Sequence, residues 1–525
     1  MDANTNTIVN NTQNSKNTTL FSLEKTDIAF AICAIAFSVF TAVFGICGGY
    51  ALGYLISCML VFVLFVIYFI KNAKAKFLPI FSGILAIANA AVFVCTSNSG
   101  VRFFGALASF LLAIVCFDGL VVGRSKGNRE TLGIFYTAIA TISNIGVSLK
   151  SLLVGKEDDK KLVAKALVGI ALAIPVLFVV IPLLISSDDA FRGMMNNIFG
   201  DAAKNIFKVI FGLILSIFVI SYGFSLKKGR VSRAKKGELP GVENVYLISF
   251  LTAINLCYML YLFSQLAYFF SAFKGFLPNG DITYAEYARK GFFEMCTIAV
   301  INLVLVFISL LIAKKNNGKV SNTIKCLATF MAVFTLIIIT TAISKMVMYI
   351  DTYGMTVLRL TTSAFMVFLA IVFISVILRI FILKINIVNT SLITAGCILL
   401  ILGTLNVNAV CAKYNYESYV SQRLRTIDIN ALYELGDEGV PYIVKLTEDK
   451  DYFVSESAKK YLARAIVYNY FEDLFEDSDL SASSLKEKEK EKGFERFSIP
   501  KAIAYESIYQ FLEQNPNFSY YTQGL

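Results

Sequence analysis

The stretch LTTSAFMVFLAIVFISVILRIFIL at residues 360–383 decides the fold class, because Arg379 is its one charged residue in 24 positions. The hydrocarbon core of a bilayer is ~30 Å thick and takes about 20 apolar helical residues to cross. Backbone polar groups find no water in lipid and must pair within the segment, so such a stretch has to be helical. Residues 360–383 are therefore predicted to form a membrane-spanning helix.

Ten further stretches along the chain have the same character. The chain is 57% hydrophobic and 16% charged, with a mean hydropathy of +0.67, which is far from the balance of a soluble domain. We predict an all-α polytopic membrane protein with about eleven transmembrane helices. The predicted spans are 28–47, 51–70, 77–96, 103–122, 162–185, 206–226, 246–272, 291–313, 324–346, 360–383 and 389–409.

Basic residues are divided unevenly between alternate loops. One set of loops holds 23 Lys and Arg and the other holds 9. Cytoplasmic loops carry the excess of Lys and Arg, so the first set is predicted to be cytoplasmic, with the amino terminus inside and the carboxyl terminus outside. The basic loops are 71–76, 123–130, 150–165, 227–238, 314–325 and 379–386.

The segment 131–153 is the main ambiguity, since it is apolar but has recurring Thr, Ser and Asn. If it crossed the membrane, the six basic residues of 227–236 would lie outside. We therefore predict an amphipathic helix on the inner surface.

Five regions follow from the spans and the loop charges. They are a disordered cytoplasmic tail at 1–27, a four-helix membrane segment at 28–122, a cytoplasmic linker with the interfacial helix at 123–161, a seven-helix membrane core at 162–411, and an extracytoplasmic helical domain at 412–525. From residue 412 onward there are 14 basic and 20 acidic residues, whereas the rest of the chain is strongly basic. Anionic lipid headgroups at the inner face account for that excess, and no nucleic-acid-binding motif accompanies it.

Several chemistries lack their residues or motifs. The chain has no His, which excludes catalytic triads and His-ligated metals, and no Trp. The ten Cys lie in or beside the spans, and none forms a C-x-x-C pair. No P-loop, dinucleotide fingerprint or nucleophile elbow occurs. The sequence therefore predicts no cofactor and no metal, and it favours a protein that is not an enzyme.

Charged side chains recur in the connectors that are predicted to be extracytoplasmic. They could form one binding or ion-pair network at an outer vestibule, because ionised groups near a bilayer tend to pair or to face water. Alternatively, they fix helix ends through local pairs and snorkelling. The candidates are Asp188, Asp189, Arg192, Glu286, Arg289, Glu294, Asp351 and Arg359.

Three amides lie within the seventh and eighth predicted spans: Asn255, Gln265 and Asn302. Such groups can contact a transported solute, but hydrogen bonding between helices explains them at least as often.

The segment Tyr284-Ala-Glu-Tyr-Ala-Arg-Lys-Gly-Phe-Phe-Glu294 resembles the signature of an uncharacterised family of multi-pass bacterial membrane proteins. Weaker matches lie before this segment, at 188–191, and after it, at 353–360, 405–415 and 428–441. The resemblance therefore covers roughly residues 160–450. The family is known only as a domain of unknown function. The resemblance therefore implies the membrane architecture in a bacterial cytoplasmic membrane and no activity.

Three functions remain open. The first is an envelope scaffold or sensory component that binds an envelope protein through the tail and the outer motifs. The second is a secondary transporter or channel for a small solute, which would depend on Glu294 and Asn302. The third is an outer-face membrane enzyme that uses carboxylates such as Asp188 and Asp189.

Overall fold

The structure is a computed structural model of the 525-residue chain. It describes residues 21–46, 51–74, 76–121, 133–153, 180, 183–184, 186–228, 241–274, 292–314, 320–382, 385–470, 485–486, 497–516 and 518. For the helix residues 189–205, 265–274 and 293 it describes the backbone alone. These ranges are helical almost throughout, apart from turns and a β-bridge that joins Val242 to Ala313.

The helices are numbered in chain order. The first six are α1 (Lys25–Phe40, continued by a π-helical turn, Thr41–Ile46), α2 (Ala51–Phe69), α3 (Phe77–Cys95), α4 (Ser99–Val121), α5 (Gly133–Ser143) and α6 (Ile145–Leu153). The next six are α7 (Asp189–Lys227), α8 (Asn244–Lys274), α9 (Phe292–Ile312), α10 (Asn322–Tyr353), α11 (Val357–Phe381) and α12 (Ile387–Thr404). The last five are α13 (Val407–Val420), α14 (Ile429–Glu434), α15 (Val440–Leu446), α16 (Tyr452–Ala465) and α17 (Ile499–Gln514).

The predicted fold class is confirmed. Within the described ranges ten helical segments are long and apolar enough to span a membrane, and each coincides with a predicted span. They lie in α1 to α4 and α7 to α12. The remaining predicted span, 162–185, lies almost wholly outside the described residues.

Within the segment 131–153, the described residues 133–153 are helical but interrupted. A turn at Asn144 separates α5, of 11 residues, from α6, of 9 residues. Each is shorter than the about 20 residues that a crossing needs. The position of these helices on the inner surface of the membrane stays a prediction.

The amino-terminal tail needs a correction, because disorder was predicted for 1–27. Residues 1–20 lie outside the described residues, but α1 begins at Lys25 and Phe21 is buried. The backbone N–H of Phe21 donates to the Ser151 hydroxyl at 2.8 Å. The residues at 21–27 thus contact α6 and α7, more than 120 residues along the chain, and the local composition does not reveal these contacts.

The described chain divides into two compact units. The first contains residues 1–48, 60–74 and 134–233. In it α1 packs along α7, and two glycines of α7 make this close approach possible. A Cβ at Gly223 would lie 2.6 Å from the Phe30 ring, and one at Gly212 would lie 2.5 Å from the backbone of Val39.

The second unit contains residues 49–59, 75–133 and 234–525. In it α3 and α4 form a hairpin against which α12 packs, and α10 packs among α8, α9 and α11. Helices α14 to α17 surround a core of their own, which includes Leu432, Ile443, Leu462 and Ile508. The same hydrophobic cluster includes Val92 of α3 and Val101 of α4, so it is continuous with the ends of that hairpin.

Candidate functional site

Asn415 of α13 holds the turn between α10 and α11. The backbone N–H of Met355 donates to Asn415 Oδ1 at 2.8 Å, and Asn415 Nδ2 donates to the Met355 carbonyl at 2.8 Å. Gly354, the residue before Met355, has φ +79°, and a Cβ at this position would lie 2.7 Å from Asn415 Oδ1. Glycine is needed at 354 both for the left-handed backbone and for the close approach of Asn415.

Two predicted site residues, Asp351 and Arg359, flank this turn. The Tyr414 hydroxyl donates to Asp351 Oδ1 at 3.3 Å. Arg359 Nη1 donates to the carbonyls of Tyr353, at 3.2 Å, and Gly354, and the guanidinium stacks over the Tyr349 ring, 4.1 Å from its centroid. Arg359 thereby satisfies carbonyls that a helix end leaves without an intrahelical partner. Burial and the neighbouring Asp351 carboxylate raise the pKa of Tyr414, which keeps its hydroxyl a donor.

The other end of α13 holds the turn between α3 and α4. Asn406, with φ +54°, stands at the start of α13. Its Oδ1 accepts from the Thr96 hydroxyl at 3.1 Å, and its Nδ2 donates to the Cys95 carbonyl at 2.9 Å. Arg102 Nε donates to the Thr96 carbonyl at 2.7 Å. Side chains thus donate hydrogen bonds to the backbone carbonyls of Cys95 and Thr96 at the end of α3.

A second row of contacts joins the same turn to the helical domain. Asn98 Nδ2 donates to Asn408 Oδ1 at 2.8 Å, and Asn408 Nδ2 donates to the Leu435 carbonyl at 2.9 Å. The backbone N–H of Ser97 donates to Glu438 Oε1 at 2.8 Å, and its hydroxyl donates to Oε2. Glu438 and Asn408 are both buried.

These contacts form one arrangement, which we call the junction: residues 96–102, 349–359, 406–415 and 437–438. Helix α13 runs between the two turns, since Asn408 and Asn415 are two helical turns apart, about 10 Å along the axis. The junction consists of amides, hydroxyls, carbonyls, two guanidinium groups and carboxylates that bond to one another. Over the described part of the chain, no group of three His, Cys, Asp or Glu is placed to hold a metal ion. The arrangement is suited to holding the turns and the domain in place.

Residues 58–446 match a family that is described as a domain of unknown function, DUF4153. The chain belongs to this family. The match includes every residue of the junction and begins about 100 residues earlier than the resemblance had indicated. Comparisons with curated proteins and with solved structures find no match.

The structure brings two of the eight predicted network residues, Asp351 and Arg359, to one turn of the DUF4153 domain. They contact separate partners there. Asp188 is exposed before α7, and Glu294 is exposed in the first turn of α9. Asp189 and Arg192 lie in α7 with only their backbones described, while Glu286 and Arg289 lie outside the described residues. A network of all eight stays a prediction.

Two of the three predicted intramembrane amides bond to other helices. Asn302 of α9 is buried; its Oδ1 accepts from the Tyr258 hydroxyl of α8 at 2.5 Å, and its Nδ2 donates to Thr335 Oγ1 of α10 at 2.9 Å. Asn255 Nδ2 donates to the Leu327 carbonyl at 3.0 Å. These are the interhelical bonds expected of lone amides in lipid. For Gln265 the structure describes the backbone alone.

The sequence reasoning missed a buried ionic cluster in the first unit. The Asp27 side chain is fully buried, and it accepts from Lys227 Nζ at 2.7 Å, from Lys228 Nζ at 2.9 Å and from the Tyr68 hydroxyl at 3.0 Å. The Tyr68 ring stacks on Phe30, with centroids 3.9 Å apart. The cluster joins the start of α1 to the ends of α2 and α7. A hint was present, because Asp27 is an acid directly before an apolar run and Lys227 is a base directly after one.

Proposed function

We propose that this protein is a scaffold or sensory component of the bacterial envelope, and that its carboxyl-terminal helical domain, 412–525, binds a protein partner. The coarser statement is secure: it is an integral, multi-pass membrane protein with a DUF4153 domain. The binding role is supported by one surface feature of that domain.

That feature is an aromatic turn, residues 449–453. Tyr452 and Phe453 are 72% and 80% exposed, with ring centroids 6.0 Å apart. The turn is held in place because Asp449 accepts from the Tyr419 hydroxyl at 3.2 Å and Asp451 accepts from the Phe453 backbone N–H at 2.9 Å. Ordered aromatic side chains that stand free of the core are typical anchors of protein interfaces.

Site-specific photocrosslinking tests this role. A photoreactive phenylalanine analogue at Phe453, in intact cells, should form a discrete adduct that Tyr452→Ser abolishes. The matched control places the analogue at Gln510, an exposed position on α17, where we expect no such adduct. If Phe453 and Gln510 give the same adducts, or if Tyr452→Ser leaves the Phe453 adduct unchanged, the binding role is wrong.

The proposed orientation places the amino terminus in the cytoplasm and the helical domain outside, with anionic lipids at the basic inner loops. A cysteine at Lys450, an exposed position beside the aromatic turn, tests it. We expect a membrane-impermeant maleimide to label Lys450→Cys in intact cells, above the background of the wild-type cysteines. Labelling that requires lysis would reverse the orientation.

Transport of a small solute is the alternative. The bonds that Asn302 makes to Tyr258 and Thr335 give this amide a role between helices. Solute flux that falls in the double variant Glu294→Gln, Asn302→Ala would favour transport over the binding role.

A further inference from the structure

The start of α17 carries an exposed apolar patch. Phe497, Ile499 and Ile503 are 50%, 44% and 53% exposed, whereas Tyr505, Ile508, Phe511 and Leu512 of the same helix are buried in the domain core. Lys501 lies between the two isoleucines and is half-buried. The patch ends abruptly, because the later exposed positions are polar: Glu506, Gln510, Glu513 and Gln514.

A short series of contacts places this patch near the end of a membrane-spanning helix. The Tyr505 ring, two residues after Ile503, packs on the Tyr470 ring with centroids 4.9 Å apart, and the Tyr470 hydroxyl donates to Asp437 at 2.7 Å. The next residue, Glu438, accepts both polar hydrogens of Ser97, which lies directly after α3. Helix α17 also packs against α3 itself.

The contrast between the apolar and polar parts of α17 decides which of its ends faces the bilayer. Asp437 belongs to the junction and Tyr470 bonds to it, so Tyr505 lies near that level and the patch lies within about two turns of Tyr505. If the helix ran the other way, its polar positions from Glu506 to Gln514 would lie at the bilayer and the apolar patch would lie in water. That arrangement would expose apolar surface to water and charged groups to lipid.

We propose that Phe497, Ile499 and Ile503 insert into the lipid leaflet that surrounds the Cys95 end of α3. The membrane is the occupant because α3 is a span and the core of the domain continues into Val92 and Val101 near its end. An apolar group with a lysine beside it matches the boundary between acyl chains and phosphates, where a lysine keeps its ammonium in the headgroup layer. This lipid contact does not depend on a protein partner.

The absence of Trp from the chain provides a test without background fluorescence. Ile503→Trp in the full-length protein, reconstituted in phosphatidylcholine–phosphatidylglycerol vesicles, should emit at shorter wavelengths than a tryptophan in water. Lipids that carry bromine near the carbonyl end of the acyl chain should quench most of this emission. The matched control is Phe453→Trp, which should emit as a tryptophan in water and should not be quenched.

Two results would overturn the proposal. In the first, Ile503→Trp emits as Phe453→Trp does, with no quenching. In the second, its emission is shifted to shorter wavelengths but bromolipids do not quench it, which would mean that protein covers the patch. If Ile503→Trp does not fold, as judged by its elution profile in detergent, Phe497→Trp serves for the same measurement. Photocrosslinking at Phe453 tests the proposed binding of a protein partner independently of this lipid contact.

Discussion

Asn415→Ala should release the turn between α10 and α11 from α13. The substitution removes the amide that accepts from the Met355 N–H and donates to the Met355 carbonyl, each at 2.8 Å. Each hydrogen bond contributes about 0.5–1.5 kcal/mol, and backbone groups left without a partner add to the loss. We expect local stability to fall by about 2 kcal/mol, which corresponds to a roughly 30-fold rise in the opening equilibrium of the turn.

Amide hydrogen exchange of the full-length protein in detergent measures this opening directly. Peptides that cover 353–360 should exchange faster in Asn415→Ala by that factor, because the Met355 N–H has lost its acceptor. The matched control is Asn430→Ala, which removes an exposed amide that donates to Glu434 within its own region of the chain. It should leave exchange at 353–360 unchanged. Equal protection of the turn in Asn415→Ala and wild type would refute the role of Asn415.

Three further predictions concern the membrane helices, and thermal unfolding of the purified protein in detergent measures each. Gly223→Ala brings a methyl group within 2.6 Å of the Phe30 ring and should cost about 1–3 kcal/mol, whereas Gly146→Ala, with open space around it, should not lower the midpoint. Asp27→Asn removes the buried carboxylate between two half-buried lysines, which keep only the exposed Glu24 at 3.9–4.0 Å, and should cost about 3 kcal/mol. Replacing both lysines with methionine in the same chain should recover part of that loss; no loss in Asp27→Asn alone would count against the cluster. Asn302→Leu removes two interhelical hydrogen bonds and should cost about 1 kcal/mol; an unchanged midpoint would show that these bonds do not stabilise the bundle.

The membrane helices could be predicted from the sequence, because a run of about 20 apolar residues is a local property. The contacts of Asn406 and Asn408 could not, since their partners at 95–98 lie more than 300 residues earlier. The resemblance did include the segment 405–415, but a sequence motif does not show which residues its side chains contact.

The sequence around Asp27 and around Lys227 also did not predict the ionic cluster. By composition, Asp27 belongs to a polar tail and Lys227 to a basic loop, and neither assignment predicts that the two residues meet. Their pairing depends on the packing of α1 along α7, which brings residues 200 apart in the chain to 2.7 Å. Composition indicates where charged residues leave the membrane, but tertiary packing decides which of them meet.

The junction also limits how a bound partner could act on the membrane helices. The described polar contacts that tie α13 and the helical domain to the α3–α4 and α10–α11 turns include those of Asn406, Asn408, Tyr414, Asn415 and Glu438. A ligand shifts an equilibrium only by its difference in affinity between two states. A partner at the aromatic turn would therefore change the spans only if it favoured one arrangement of these contacts over another. Because Tyr419 and Asp449 join the aromatic turn to α13, the helix that carries three of those amides, binding there has a short path to both turns. With Asn415 replaced, the described polar path to α10 runs only through the Tyr414–Asp351 bond, so a sensor's response in α10 and α11 would weaken while a scaffold would still bind.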